Sequence, residues 1–238
     1  GDFLDLDCSR VGADRAVVVS HGLEGHSRRA YVLGMVRAFN RAGWDAVAWN
    51  FRGSSGEQNR LLAFTHSGAS HELGEVVDWA VGAGGYRSVA LVGFSLGGNL
   101  TLKYLGESGV TLPPAVRCGV AYSVPCDLKG SAETMAAGGN RIYMSRFLSD
   151  LRVRMEAKSR QFPGRISMDG YGQVRTFREF DGRYTAPLHG FRDAEDYWER
   201  SSSGRYLAGI RVPTLLVNAM DDPFLSPGCF PRDLAAES

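Results

Sequence analysis

Short apolar runs alternate with amphipathic stretches along most of the chain. Ala16-Val17-Val18-Val19 is a β-branched run closing on Ser20-His21-Gly22, and it predicts a strand. Val32, Met35, Val36 and Phe39 then recur at i, i+3, i+4 and i+7, one face of a helix that Gly43 stops. Trp44 to Trp49 predicts a second strand, closed by Asn50-Phe51-Arg52-Gly53. Leu73, Val76, Val77 and Ala80 mark a second helix, which the glycines at 82, 84 and 85 end. Val89 to Val92 predicts a third strand, followed by Gly93 and a helix from about Leu96 to Glu107. Val116 to Val124 and Pro213 to Ala219 predict two more strands. Unbroken apolar strands alternating with amphipathic helices predict an α/β fold, a mostly parallel sheet with helices on both faces.

The rhythm changes between Pro125 and Ser203. Asn140 to Arg160 reads as one long helix with an apolar stripe of Met144, Phe147, Leu148, Leu151 and Met155. An irregular stretch, Phe162 to Leu188, follows, and then a helix from Phe191 to Arg200. The expected organisation is a sheet core of residues 1–124 and 204–238, with residues 125–203 inserted as a helical cap over the carboxyl edge of the strands.

Composition narrows the function classes. A chain of 238 residues with 44% hydrophobic and 22% charged positions can bury a core without staples. Its formal net charge of +1 argues against a chain-wide nucleic-acid footprint. The four cysteines (8, 118, 126 and 229) match no zinc spacing and no disulfide framework, and no stretch is apolar enough to span a bilayer. A cytoplasmic protein is therefore expected. The 30 glycines exceed the usual share, and many fall at strand ends and helix starts, where ligand sites of such sheets form. The insertion helix carries Arg141, Arg146, Arg152, Arg154, Lys158 and Arg160. These read as a solvated face opposite the apolar stripe, in preference to a contact for an anionic membrane.

Three local patterns carry chemistry. Gly93-Phe94-Ser95-Leu96-Gly97 stands directly between a strand and a helix, the setting in which G-x-S-x-G presents a nucleophilic serine above a sheet. The small flanking residues leave room for the tight turn, and the Leu96 amide at the helix start points toward a developing oxyanion. His21-Gly22-Leu23-Glu24-Gly25 offers the second oxyanion donor, assigned to the Leu23 amide, with His21 a structural hydrogen-bonding residue. Asp221-Asp222-Pro223 follows the late strand Pro213 to Ala219, and Asp222 is the better candidate for the acid that orients a triad histidine. His21 and His26 have no carboxylate or cysteine spaced to complete a metal site, and no metal is expected.

Together with Asn50-Phe51-Arg52-Gly53, Asn59-Arg60, His66-Ser67-Gly68, Gly98-Asn99 and Ser123-Val124-Pro125, these patterns resemble the α/β-hydrolase superfamily. So do Asn140-Arg141-Ile142-Tyr143 and Thr185-Ala186-Pro187-Leu188-His189-Gly190-Phe191. The nearer match is its family-four branch, the YheT-type esterases of bacteria and their eukaryotic acylglycerol and phospholipid lipase relatives. The resemblance implies a carboxylic ester hydrolase without cofactor, with Ser95 as nucleophile and Asp222 as triad acid. Its substrates would be lipid or short- to medium-chain acyl esters. It also implies a histidine after Asp222 and one further strand. Only 16 residues follow Asp222 and none is histidine, so the base, a last strand and a last helix are expected beyond Ser238. His189 is a weaker stand-in, because it precedes the acid in the chain. The rival reading is a non-catalytic α/β-hydrolase binding module that kept the pocket and lost the base.

Overall fold

A computed structural model describes residues 1–231; positions 232–238 of the expected core segment lie outside the described residues. The described residues form one six-stranded sheet of β1 (Asp5–Ser9), β2 (Arg15–Ser20), β3 (Asp45–Asn50), β4 (Ser88–Phe94), β5 (Val116–Tyr122) and β6 (Thr214–Val217). The strand order is β1-β3-β2-β4-β5-β6, with β1 antiparallel to β3 and every other pairing parallel. The chain runs outward from β2 to β3, then returns across β2 to lay down β4. That reversal is a topological switch point, and the carboxyl ends of β2 and β4 border it, where open α/β sheets hold ligands.

Strand alternation loads both faces. Val18, Val47, Trp49 and Leu91 point to the side covered by α2 (Ser70–Val81) and α3 (Leu96–Ser108). Val17, Val19, Ala46, Ala48, Ala90 and Val92 point to the side covered by α1 (Ala30–Arg41), which buries Val32 and Val36. The predicted stripe Leu73, Val76, Val77 and Ala80 is buried in full. Each such large apolar side chain contributes roughly 1.5–3 kcal/mol by leaving water.

At the sheet margins the expectation needs correction. β1 gave no sequence signal, because Asp5 and Asp7 interrupt its short alternating pattern. Its place is fixed by pairing with β3 and by Ser27 Oγ donating to Asp7 at 2.5 Å. β6 is not covered on both faces among the described residues: Leu215 and Val217 remain 57% and 40% exposed.

Between β5 and β6 the chain forms α4 (Leu128–Ala136), α5 (Arg141–Gln161), α6 (Phe177–Phe180), α7 (Ala186–His189) and α8 (Ala194–Ser201). α4, α5 and α6 meet in a core of Met135, Met144, Leu148, Leu151, Met155, Phe180 and Tyr184 that also takes in Phe64 from the loop after β3, while α8 packs Ala194, Tyr197 and Trp198 against Leu128 and Ala132 of α4. Residues 162–188 are thus not wholly irregular. Thr176 and Glu179 form a reciprocal capping box that starts α6, and a π-helical turn, Asp181–Thr185, continues it into α7. α8 begins three residues later than predicted because Asp193 caps it, accepting from the Asp196 amide at 2.8 Å.

α5 also departs from the simple amphipathic picture. Arg154 and Lys158 face inward with the apolar stripe, whereas Arg146 is exposed. Lys158 Nζ donates to the carbonyls of Asn59 at 3.1 Å and Leu61 at 2.5 Å. The long stem reaches through apolar neighbours to loop carbonyls that need a donor, and burial lowers the ammonium pKa to about 8.

Candidate active site

Ser95 sits at the junction of β4 and α3 with φ 52° and ψ −117°. Side-chain-bearing residues rarely adopt that conformation, and it persists only where the surroundings over-determine it. The constraints are visible. The Ser95 amide donates to Tyr122 O at 2.8 Å, and its carbonyl accepts from the Asn99 amide at 2.9 Å. The turn is closed so tightly that a Cβ on Gly97 would meet the backbone oxygens of His21 and Ser20, and one on Gly98 would meet the Val124 side chain at 2.6 Å. A Cβ on Gly93 would strike the Gly97 carbonyl. The glycines of the motif are therefore packing requirements of the turn.

The loop after β2 lies directly against this serine. A Cβ placed on Gly22 would be 3.3 Å from Ser95 Cβ. The loop makes a turn closed by the Gly25 amide on Gly22 O at 3.0 Å, and Glu24 inside it has φ 51°. His21 holds the turn from within the core. Its Nε2 accepts from the Phe51 amide at 3.2 Å, so Nδ1 carries the proton and donates to Gly22 O at 2.8 Å. Burial drives this imidazole pKa down to about 3, which suits a permanently neutral ring. The Leu96 amide belongs to the first turn of α3, whose leading N–H groups have no partner within the helix.

Among the described residues, three non-glycine positions have positive φ: Glu24, Ser95 and Ser123. All three line one cavity of about 690 Å³ between the carboxyl ends of the strands and the helical insertion. Leu23, Leu96, Asp221 and Asp222 line it too, so the sequence-predicted residues come together around one space. Most of the remaining wall is apolar, with Phe64, Leu128, Met135, Phe147, Leu151 and Phe177 among its members.

Asp222 is half-buried and makes its own turn: Oδ1 accepts from the Phe224 amide at 3.0 Å. Asp221 is exposed. Their loop is fixed at both ends. Asn218 exchanges hydrogen bonds with Val124, accepting at 2.7 Å and donating at 3.2 Å, and Asn140 of the insertion donates to Pro223 O at 2.7 Å.

Of the five histidines, His66 alone lines the cavity. Its Nδ1 accepts from the Gly68 amide at 3.1 Å, and its ring packs 4.4 Å from that of His189. His189 lies behind it, outside the cavity lining, with Nε2 buried and unpartnered. Burial lowers its pKa to about 4. The structure therefore does not bring His189 to Ser95.

Among the residues lining the cavity, one buried acid escaped the sequence reading. Asp181, on the π-helical turn, accepts from Trp198 Nε1 at 2.8 Å and Thr185 Oγ1 at 2.7 Å, and burial raises its pKa to about 6. Its only sequence signal is a lone aspartate in an aromatic run. Among the described residues, no group of three or more His, Cys, Asp or Glu is arranged to hold a metal ion, and no helix is long and apolar enough to cross a membrane.

A mostly parallel sheet with a strained serine at a strand-to-helix turn, beside a glycine turn at the switch point, defines an α/β hydrolase scaffold. The chain belongs to the α/β-hydrolase fold family, whose sequence model matches residues 15–228. Within it the chain is of the YheT type: it is 37% identical over 238 residues to YheT of Escherichia coli strain K12, whose name marks it as an unproven esterase. That match covers 98% of this chain and 69% of YheT. Phospholipase ABHD3 of Bos taurus is 29% identical, with 100% of this chain and 58% of that protein covered. The monoacylglycerol lipase of Saccharomyces cerevisiae is 28% identical, covering 97% and 53%. The chain thus spans little more than half the length of these two relatives. Among solved structures, GrgF from Penicillium sp. sh18 superposes with a TM-score of 0.56 at 16% identity, covering 91% of this chain and 76% of that one. VinJ does so with 0.54 at 20%, covering 96% and 81%. These two likenesses concern the fold alone.

Proposed function

We propose that the chain carries the catalytic core of a carboxylic ester hydrolase working through an acyl-enzyme. The carrying observation is Ser95, held at φ 52° against the Gly22–Gly25 turn and opening into a largely apolar cavity. Ser95 Oγ attacks the ester carbonyl. The amides of Leu23 and Leu96 donate to the oxyanion of the tetrahedral intermediate, an arrangement in which one donor is worth about 10²–10³ in rate. Collapse expels the alcohol and leaves the acyl group on Ser95; water then attacks that ester and frees the acid. Asp222 orients the imidazole that shuttles the proton, and that base is a histidine beyond Ser238. Residues 125–203 form the cap, which supplies the apolar walls for an acyl chain.

The YheT, phospholipase and monoacylglycerol lipase likenesses support lipid or other acyl esters as the substrate class. Labelling of the full-length protein with a fluorophosphonate tests the reading. Wild type is expected to label and Ser95→Ala to lose the label; equal labelling overturns it. A triad histidine absent beyond Ser238, with neither labelling nor hydrolysis across a p-nitrophenyl ester series, favours the binding-module alternative.

A further inference from the structure

Position 24 presents a conflict. It stands third in a four-residue turn between Gly22 and Gly25, with φ 51°. Glycine or asparagine ordinarily meets a positive φ at that turn position, and a larger side chain there costs about 1–2 kcal/mol. Glutamate nonetheless stands there, so what its carboxylate touches matters. Glu24 Oε1 accepts from Arg154 Nε of α5 at 3.0 Å, with the two side chains only 15% and 11% exposed. The rest of the Arg154 fork is also engaged: Nη1 donates to Arg52 O at 2.9 Å and Nη2 to Ser54 Oγ at 3.1 Å. Arg29 Nη2 holds the Glu24 carbonyl at 3.1 Å. One guanidinium thus joins the insertion helix to the loop after β2 and to the loop after β3, and its planar geometry suits three acceptors at once.

Leu23 and Glu24 share a peptide unit and both line the cavity. The Leu23 N–H lies in the preceding Gly22–Leu23 peptide, whose carbonyl accepts from the Gly25 amide across the same turn at 3.0 Å, so a shift at residue 24 that breaks this bond frees the Leu23 N–H to turn as well. We infer that Arg154 is a positioning residue: by holding Glu24 it fixes the direction of the Leu23 N–H, so the insertion and the oxyanion loop act as one unit. The inference rests on the reading of Leu23 as an oxyanion donor.

The test measures kcat and KM of the full-length protein on a p-nitrophenyl ester, with thermal unfolding in parallel. The variants are Arg154→Met, Arg154→Lys, Glu24→Gln, the Arg154→Met/Glu24→Gln double, Arg146→Ala and Ser95→Ala. Arg154→Met and Glu24→Gln are each expected to lower kcat about 10- to 100-fold, part of the effect of losing a whole oxyanion donor, with KM within about 3-fold. The double variant should be no worse than the poorer single within about 3-fold, because one removes and the other discharges the same charge-assisted contact. Arg154→Lys should recover part of the rate, and exposed Arg146→Ala should match wild type. Wild-type kcat in both singles overturns the inference, as does a loss confined to KM or one that tracks the unfolded fraction. Should Arg154→Met fail to fold, Glu24→Gln carries the test, since it keeps the side-chain shape. Activity of Ser95→Ala equal to wild type overturns the catalytic reading and the inference with it. Ser95-dependent activity with unchanged variants overturns the inference alone.

Discussion

At the residue scale, the elbow was legible because its spacing is dictated by local sterics. Only glycine fits at positions 93 and 97 when the chain turns from strand to helix within two residues. The positive φ at Glu24 and Ser123 was not legible, because each depends on neighbours distant in sequence. The same argument separates two glycines that look alike in the sequence. Gly34 in α1 is exposed, and a Cβ there would meet nothing within 4 Å, so Gly34→Ala should raise stability by about 0.5–1 kcal/mol through backbone entropy. Gly97→Ala drives a methyl into two backbone carbonyls that cannot rotate away, and should lower stability by roughly 3 kcal/mol. Urea denaturation of the two variants beside wild type checks both signs; similar changes in both would show that the elbow yields more easily than its contacts imply.

At the element scale, α1 and α2 followed from period and glycine stops, because each buries one stripe against a sheet face, whereas α3 followed from the elbow that starts it and is buried all round from Leu96 to Leu105. α5 was legible in place and length but only half so in orientation. The apolar stripe told which face packs, yet pattern alone treats every lysine and arginine as solvent-facing. Which loop carbonyls lack a donor is tertiary information, and Lys158 answers it for Asn59 and Leu61. Lys158→Met keeps the apolar stem and leaves those carbonyls without their ammonium, so it should cost about 1–3 kcal/mol. Arg146→Ala on the same helix should stay within about 0.5 kcal/mol of wild type. Differential scanning calorimetry of the pair reads the contrast, and equal shifts would place Lys158 among the solvated charges after all.

At the scale of the whole molecule, buried neutral groups set the response to acid. His21 and His189 titrate near 3 and 4 when folded, and burial likewise lowers His66, against 6.5 for an open imidazole. Below pH 6.5 the unfolded chain binds protons on these rings that the folded chain refuses, so this stability is present above 6.5 and is lost as pH falls. Asp181 and Glu72 oppose it, since burial raises their carboxyls and the folded state takes up their protons first. His26 is lowered as well, so the lowered rings outnumber the raised acids and unfolding takes up protons as the pH falls from 7 to 5. The urea midpoint should therefore fall between pH 7 and pH 5; a midpoint that holds or rises would mean the acids dominate. The clamp at Arg154 has a consequence of another kind. It binds a carboxylate 130 positions away along the chain and a backbone carbonyl 102 positions away, and contacts so remote in sequence are closed only after most of the chain has been laid down. On refolding from denaturant, recovery of Ser95 labelling should thus lag behind recovery of the far-ultraviolet circular dichroism signal, because the sheet can form before the two loops and α5 are brought to one point.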